Sequence, residues 1–166
     1  GIEGILTVQE KVIFQGLDSL LFPDTAAVSI ASLLPIPLPK FVNLALQIVD
    51  ILEKIHGRGI LHKDINSHNI ISKPDGSEAW IIDFSIASKT KREIQALKPA
   101  QEIEGTLAYL APEQTGRINR SLDYRADYYS LGITFFEMLT GQKPFQIEES
   151  LDLIHAHLTP PIPDMR

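Results

Sequence analysis

The sequence predicts an α+β fold that is mainly α, and three observations carry that prediction. Two segments, about 40–56 and 125–140, space their apolar residues as buried helices do. Between them lie short β-rich pieces around a Pro74-Asp75-Gly76 turn. The 44% hydrophobic and 22% charged content of the 166 residues suits one unit built around one core.

Residues 1–34 mix short apolar patches with Gly1, Gly4, Gly16 and Pro23, show no sustained period, and stay unassigned. Pro35, Pro37 and Pro39 hold the chain extended, because each ring fixes its own φ and biases the residue before it away from helix. A boundary is therefore expected there. From Phe41, the residues Leu44, Ala45, Ile48, Ile51, Leu52 and Ile55 recur at helical spacing, with Gly57 and Gly59 as the left-handed stop. The strand pieces are Ile60-Leu61, Asn69 to Ser72 and Ala79 to Ile82, the last two forming a small hairpin.

Lys89 to Glu104 is polar, without apolar period, and reads as a flexible surface loop. In the second helix Leu131, Ile133, Phe135, Phe136, Met138 and Leu139 surround nearly the whole circumference, which places it in the middle of a core. Gly141 and Pro144 end it. A third helix is expected from about Ile147 to Leu158. Trp80 and Phe136 read as core residues.

Composition excludes several classes. With no cysteine there is neither a disulfide framework nor a thiolate metal site, and a reducing, cytoplasmic setting is expected. A formal charge of -6 with scattered Lys and Arg gives no basic surface for nucleic acid. The longest apolar stretch, Ala26 to Leu38, is too short and too broken by Ser29, Ser32, Pro35 and Pro37 to span a bilayer as a helix. With a glycine at position 1 and no basic-then-apolar leader, an internal piece without a secretory signal is expected.

The chemistry concentrates on two loops. His62-Lys63-Asp64 is followed by Asn69, and Asp83-Phe84 follows the apolar run Trp80-Ile81-Ile82. Phosphoryl transfer asks a protein for a carboxylate that orients the attacking hydroxyl and for hard oxygen ligands to magnesium. Asp64, Asn69 and Asp83 are of those types.

In order and spacing, His62-Lys63-Asp64-Ile65-Asn66-Ser67-His68-Asn69 and Asp83-Phe84-Ser85 resemble the protein-kinase signatures HRD-L-x-x-x-N and D-F-G. Gly105-Thr106-Leu107-Ala108-Tyr109-Leu110-Ala111-Pro112-Glu113 resembles the substrate-side end of a kinase activation segment, and Asp127 to Gly132 the start of the kinase's central buried helix. Four pieces in family order, from Ile60 to Phe145, make chance resemblance improbable.

The resemblance implies a kinase C-lobe over 35–166, with 1–34 as the candidate remnant of the N-lobe or hinge. It implies ATP and Mg2+ as cofactors and a protein Ser/Thr as substrate. Asp64 would be the base, with Lys63 and Asn66 beside it, and Asn69 and Asp83 the residues that hold nucleotide and metal. His62, Phe84, Ser85, Thr106, Glu113 and Asp127 would belong to the activation segment and its supports. Asp127 would bond the backbone of the catalytic loop, and Glu113 would pair with an arginine further along, for which Arg166 is the candidate. The run from Ala111 to Arg125 is similar to bacterial multidomain kinases that carry ATPase, GAF sensor and histidine-kinase modules. That implies a longer parent protein with those modules covalently linked.

The pattern is also departed from. Lys63 stands where many kinases have Arg, and an ammonium lacks the planar two-pronged grip on a phosphate. This speaks against activation by loop phosphorylation, for which Ser88, Thr90 and Thr106 are the acceptors on offer. Asn66 replaces a lysine that would neutralise transition-state charge. Ser85 replaces the D-F-G glycine and narrows the dihedrals available there, so a less mobile hinge is expected. No glycine-rich phosphate loop and no V-A-I-K-like strand occur, Lys11 being the nearest imitation.

Reactant positioning supplies roughly 7–11 kcal/mol of catalysis, and a general base only about 3–5 kcal/mol. The 166-residue chain alone is therefore expected to turn over ATP negligibly. Two alternatives stay open: a pseudokinase or interaction module, and a small-molecule phosphotransferase. His62 reads as a packing anchor, His68 as a surface residue, and His155 and His157 as no metal site.

Overall fold

A computed structural model describes residues 1–89, 107–117 and 120–159. In chain order the elements are β1 (Glu10–Phe14), β2 (Leu17–Leu21), β3 (Val28–Ser29), α1 (Leu38–Gly57), β4 (Ile60–Leu61), β5 (Ile70–Ser72), β6 (Ala79–Ile81), β7 (Ser88–Lys89), α2 (Arg125–Thr140) and α3 (Ser150–Leu158). Short 3-10 helices cover Ile30–Leu33, Leu107–Tyr109 and Pro112–Thr115.

The core forms on α1, whose one face buries Leu44, Ile48, Ile51, Leu52 and Ile55. That face meets Ile30, Ile65, Ile70, Ile81, Leu131 and Met138 in a single cluster. Each Leu or Ile so buried contributes about 1.5–3 kcal/mol. The proline cluster delivers α1 to α2, with Ile36 N donating to Met138 O at 2.7 Å. Helix α1 begins at Leu38 with Pro39 in its first turn, where no intrahelical partner for an N–H is needed. Gly59 is left-handed (φ 71°), whereas Gly57 is the last residue of the helix.

The three-stranded sheet runs β3-β5-β6, all antiparallel, with Ile70 opposite Ile81 and Ser72 opposite Ala79. The turn at Pro74–Gly76 closes the hairpin, Gly76 at φ 79° lying against Lys40. The strand β7 pairs with β4, Leu61 opposite Ser88.

Several expectations are corrected. Residues 10–21, which show no period, form a hairpin with a two-residue turn. Its turn places Gln15 (φ 50°) and Gly16 (φ 79°) both left-handed, the geometry that matches strand twist, but glutamine is not the residue that announces such a turn. Lys89 is a strand residue rather than the start of a loop, and residues 90–104 of that predicted loop lie outside the described residues. The third helix begins at Ser150, three residues later than expected, because Glu149 is still extended (ψ 120°).

Trp80 and Phe136 are half-buried, not core. Helix α2 is not wrapped on all sides: Tyr128 and Gly132 are exposed, while Asp127, Ser130, Thr134 and Glu137 are buried. Asp127 and Glu137 turn in to accept from donors outside the helix, whereas Ser130 and Thr134 bond back to carbonyls of α2 itself.

Candidate phosphotransfer site

The loop from His62 to Asn69 leaves β4 and is held from below by α2. Asp127, buried in the first turn of α2, accepts from His62 N at 3.0 Å and from Lys63 N at 2.8 Å. His56 Nε2 of α1 meets the same carboxylate at 2.8 Å. Lys63 carries φ 69°, a left-handed conformation that costs a non-glycine residue about 1–3 kcal/mol. Asp127 on its amide and Gln114 Nε2 on its carbonyl (2.8 Å) hold it there.

His62 is fully buried, and burial pushes its imidazole below the ordinary value. Its Nδ1 accepts from Asp64 N at 3.3 Å, so its Nε2–H donates to Ile82 O at 3.1 Å. The neutral ring thus links the His62–Asn69 loop to the residue before Asp83, with Phe84 edge-on at 4.6 Å.

Asp64 is gripped on both carboxylate oxygens. Asn66 Nδ2 donates to Oδ1 at 3.0 Å, and Asn69 Nδ2 to Oδ2 at 2.7 Å. The same amides reach the Asp64 carbonyl at 3.1 and 2.9 Å. Asn66 Oδ1 in turn accepts from His68 N and Asn69 N, at 2.9 and 3.1 Å. Each Asp64 oxygen still has a lone pair to offer.

The second loop is joined to the first by Ile82 N donating to Asn69 O at 2.9 Å. Asp83 follows at φ 61° and is exposed. The Ser85 hydroxyl and amide hold its carboxyl below the usual range, the amide at 3.1 Å from Oδ1. Position 85 itself avoids the left-handed region, so this conformation does not demand glycine there; the strained backbone sits at Asp83.

Next to this loop opens a cavity of about 690 Å³, bounded by Ile5, Leu20, Phe22, Ile71, Ile82 and Phe84, with Asp83 on its wall. Asp64 and Asn69 do not line it. Lys11 lies elsewhere, on exposed β1, around a smaller hollow with Asp18. The residue types fit a magnesium nucleotide: the cavity offers an apolar wall for a base with the exposed Asp83 carboxylate on it, and the Asn69 amide oxygen, outside the cavity lining, has no partner among the described residues. What such a group supplies when bound is the transferable phosphoryl and the cation that neutralises it.

The returning segment docks on the same loop. Gln114 receives Ala111 N on Oε1 at 3.1 Å while donating to Lys63 O. Glu113 lies half-buried beside it. Thr90, Thr106 and Arg166 lie outside the described residues, and Ser88 is half-buried in β7.

Sequence reasoning missed His56, Gln114, Ser67, Tyr109 and Glu137. Only Glu137 gave a signal, a lone acid inside Phe135-Phe136-Glu137-Met138.

The fold and loops define the class, and comparison with known proteins identifies it. Residues 27–162 match the family described as Protein kinase domain. Among relatives, "Serine/threonine-protein kinase PknH" of Mycobacterium bovis is 36% identical over 129 residues, 78% of this chain and 21% of its own. "Serine/threonine-protein kinase PknE" of Mycobacterium tuberculosis is 34% identical over 157 residues, 90% of this chain and 27% of its own. "Serine/threonine-protein kinase pkn3" of Myxococcus xanthus is 32% identical over 134 residues, 76% and 24% respectively. The chain belongs to the protein kinase domain family and spans about a fifth to a quarter of the length of these curated relatives. Among the described residues, no helix is long and apolar enough to cross a membrane.

Proposed function

We propose that residues 35–166 are the C-lobe of a serine/threonine protein kinase acting within a longer parent protein. The observation that carries this reading is the clamping of Asp64 on both oxygens by Asn66 and Asn69, with Asn69 bonded directly to Ile82 beside Asp83. Phosphotransfer draws on positioning and electrostatic stabilisation, and this clamp supplies the part that aims the base.

In this reading Asp64 orients the substrate hydroxyl and accepts its proton on an oxygen already aimed by an amide. The Asn69 amide oxygen and the Asp83 carboxylate hold magnesium, and the apolar cavity takes the adenine of ATP. Asn66, in place of a lysine, gives Asp64 a neutral partner, so its role is orientation rather than charge neutralisation. The run from Ala111 to Arg125 supports a parent with ATPase, GAF sensor and histidine-kinase modules. A cytoplasmic setting fits the absence of cysteine.

The test uses the full-length protein that contains these residues. It is expected to phosphorylate a Ser/Thr peptide, with Asp64→Asn lowering kcat by about 10²–10⁴-fold. Magnesium ATP is expected to raise the Tm of the unfolding step that belongs to this domain, and Asp83→Asn to remove that rise while leaving any rise from the attached ATPase and histidine-kinase modules. A wild-type protein that gains no Tm with magnesium ATP and transfers no phosphate is a pseudokinase. Phosphorylation of sugars or amino alcohols instead of peptides makes it a small-molecule phosphotransferase. The 166-residue chain by itself is expected to transfer negligible phosphate.

A further inference from the structure

One residue of the Asp64 loop has no part in the clamp described above. Ser67 is completely buried, and its hydroxyl lies 3.1 Å from the phenol oxygen of Tyr109, in the segment that returns to the site. Tyr109 donates its proton to Glu137 Oε2 of α2 at 2.7 Å. That proton is therefore committed, and the Ser67 hydroxyl is the donor to Tyr109. On its other side Ser67 is pinned by its carbonyl, which accepts from Ser29 Oγ at 3.0 Å and Ala31 N at 3.1 Å. A buried polar chain of this kind has one satisfied arrangement and a steep cost for any other.

Beyond Tyr109 opens a groove of about 770 Å³ with Leu107, Ala108, Glu137, Lys143, Phe145 and Leu153 in its wall. Lys143 Nζ stands 5.1 Å over the Tyr109 ring. Glu137 and Lys143 therefore touch Tyr109 and the groove at once, and Tyr109 touches Ser67, next to Asn66.

We propose that Ser67 is a positioning residue: through Tyr109 it fixes the loop bearing Asp64 to the wall of this groove, so that the loop's alignment depends on the groove's. The proposal rests on the kinase reading of the site, which it deepens by adding regulation of Asp64 from the groove.

Ser67→Ala, Tyr109→Phe and the double variant of the full-length protein test it. Each single change is expected to lower kcat by about three- to tenfold. KM for ATP is expected to stay within about twofold, and the double variant to fall no further than the worse single, as a shared interaction requires. Losses that multiply, or an unchanged kcat, overturn the proposal. If the wild type transfers no phosphate, the kinase reading fails, and the coupling is decided on the 166-residue chain by NMR. Tyr109→Phe is expected there to move the side-chain amide resonances of Asn66 and Asn69. Unmoved resonances overturn it. Tyr109→Phe also strips buried Glu137 of its donor, so if Ser67→Ala fails to fold, Ser67→Cys, close in size and a weaker donor, takes its place in the same comparison.

Discussion

Asp127→Asn is the substitution for which the structure gives the clearest magnitude. The carboxylate accepts from two main-chain donors, His62 N on Oδ2 and Lys63 N on Oδ1, and from His56 Nε2. An asparagine of the same shape has one acceptor oxygen. Whichever way its amide is turned, one backbone N–H faces an NH2. Leaving a buried donor without a partner costs about 1–3 kcal/mol, and the bond that survives loses its charge assistance, about 1 kcal/mol more. Where the lost bond is the one to Lys63 N, the strain at its φ of 69° counts against the variant too.

The expected loss is about 2–4 kcal/mol for Asp127→Asn and about 3–5 kcal/mol for Asp127→Ala, which orphans both donors. Urea unfolding followed by circular dichroism reads both, with exposed Asp152→Asn as the control. Faster hydrogen exchange at the His62 and Lys63 amides should accompany the loss. An Asp127→Asn protein within about 0.5 kcal/mol of wild type refutes the claim that this carboxylate anchors the loop.

Further outcomes are expected. Gly4→Ala sets a Cβ 2.2 Å from Ile51 Cγ1 at φ 82° and should cost about 2–4 kcal/mol by thermal melt, whereas Gly16→Ala, with nothing within 4 Å, should cost about 1 kcal/mol. Gln114→Ala removes the bonds to the Lys63 carbonyl and the Ala111 amide and should cost about 1–2 kcal/mol in the same assay. Burial lowers both His62 and His157, so below the ordinary imidazole value of about 6.5 the unfolded chain binds protons that the native state refuses. Their stabilisation is whole above that value and is lost as pH falls through it toward the folded values. Urea midpoints from pH 7.5 to 5 should drop less steeply in His62→Gln and His157→Gln, and slopes equal to wild type would contradict this.

What the sequence made legible follows from how sharply each element constrains residue type. Helix α1 could be read because Leu44, Ile48, Ile51, Leu52 and Ile55 must all reach one core. Helix α2 was bounded correctly by Gly141, which takes the left-handed φ of 75°. Its inward side was legible only at Asp127, through the family resemblance; Glu137 turns inward to take the proton of distant Tyr109, and no local period encodes that. The hairpin β1–β2 was hidden for a different reason. Ile13, Phe14 and Leu17 are 76%, 64% and 70% exposed, so no alternation of apolar and polar residues marks a buried face.

The site divides the same way. The spacing of Asp64, Asn69 and Asp83 made the candidate site readable, because the proposed phosphotransfer asks for a carboxylate and hard oxygens at fixed places. Sequence reasoning located the backbone constraint at Ser85, where a glycine is expected. The structure locates it earlier in the chain, at Lys63 and Asp83, each left-handed, the first next to Asp64. Their strain persists because the surroundings over-determine it: Asp127 and Gln114 grip Lys63, and His62 with Asn69 grips Ile82, the residue on which Asp83 turns. Loosening any of these four partners should therefore disturb the aim of Asp64 or Asp83 before it disturbs the core, since none of them belongs to the apolar cluster around α1.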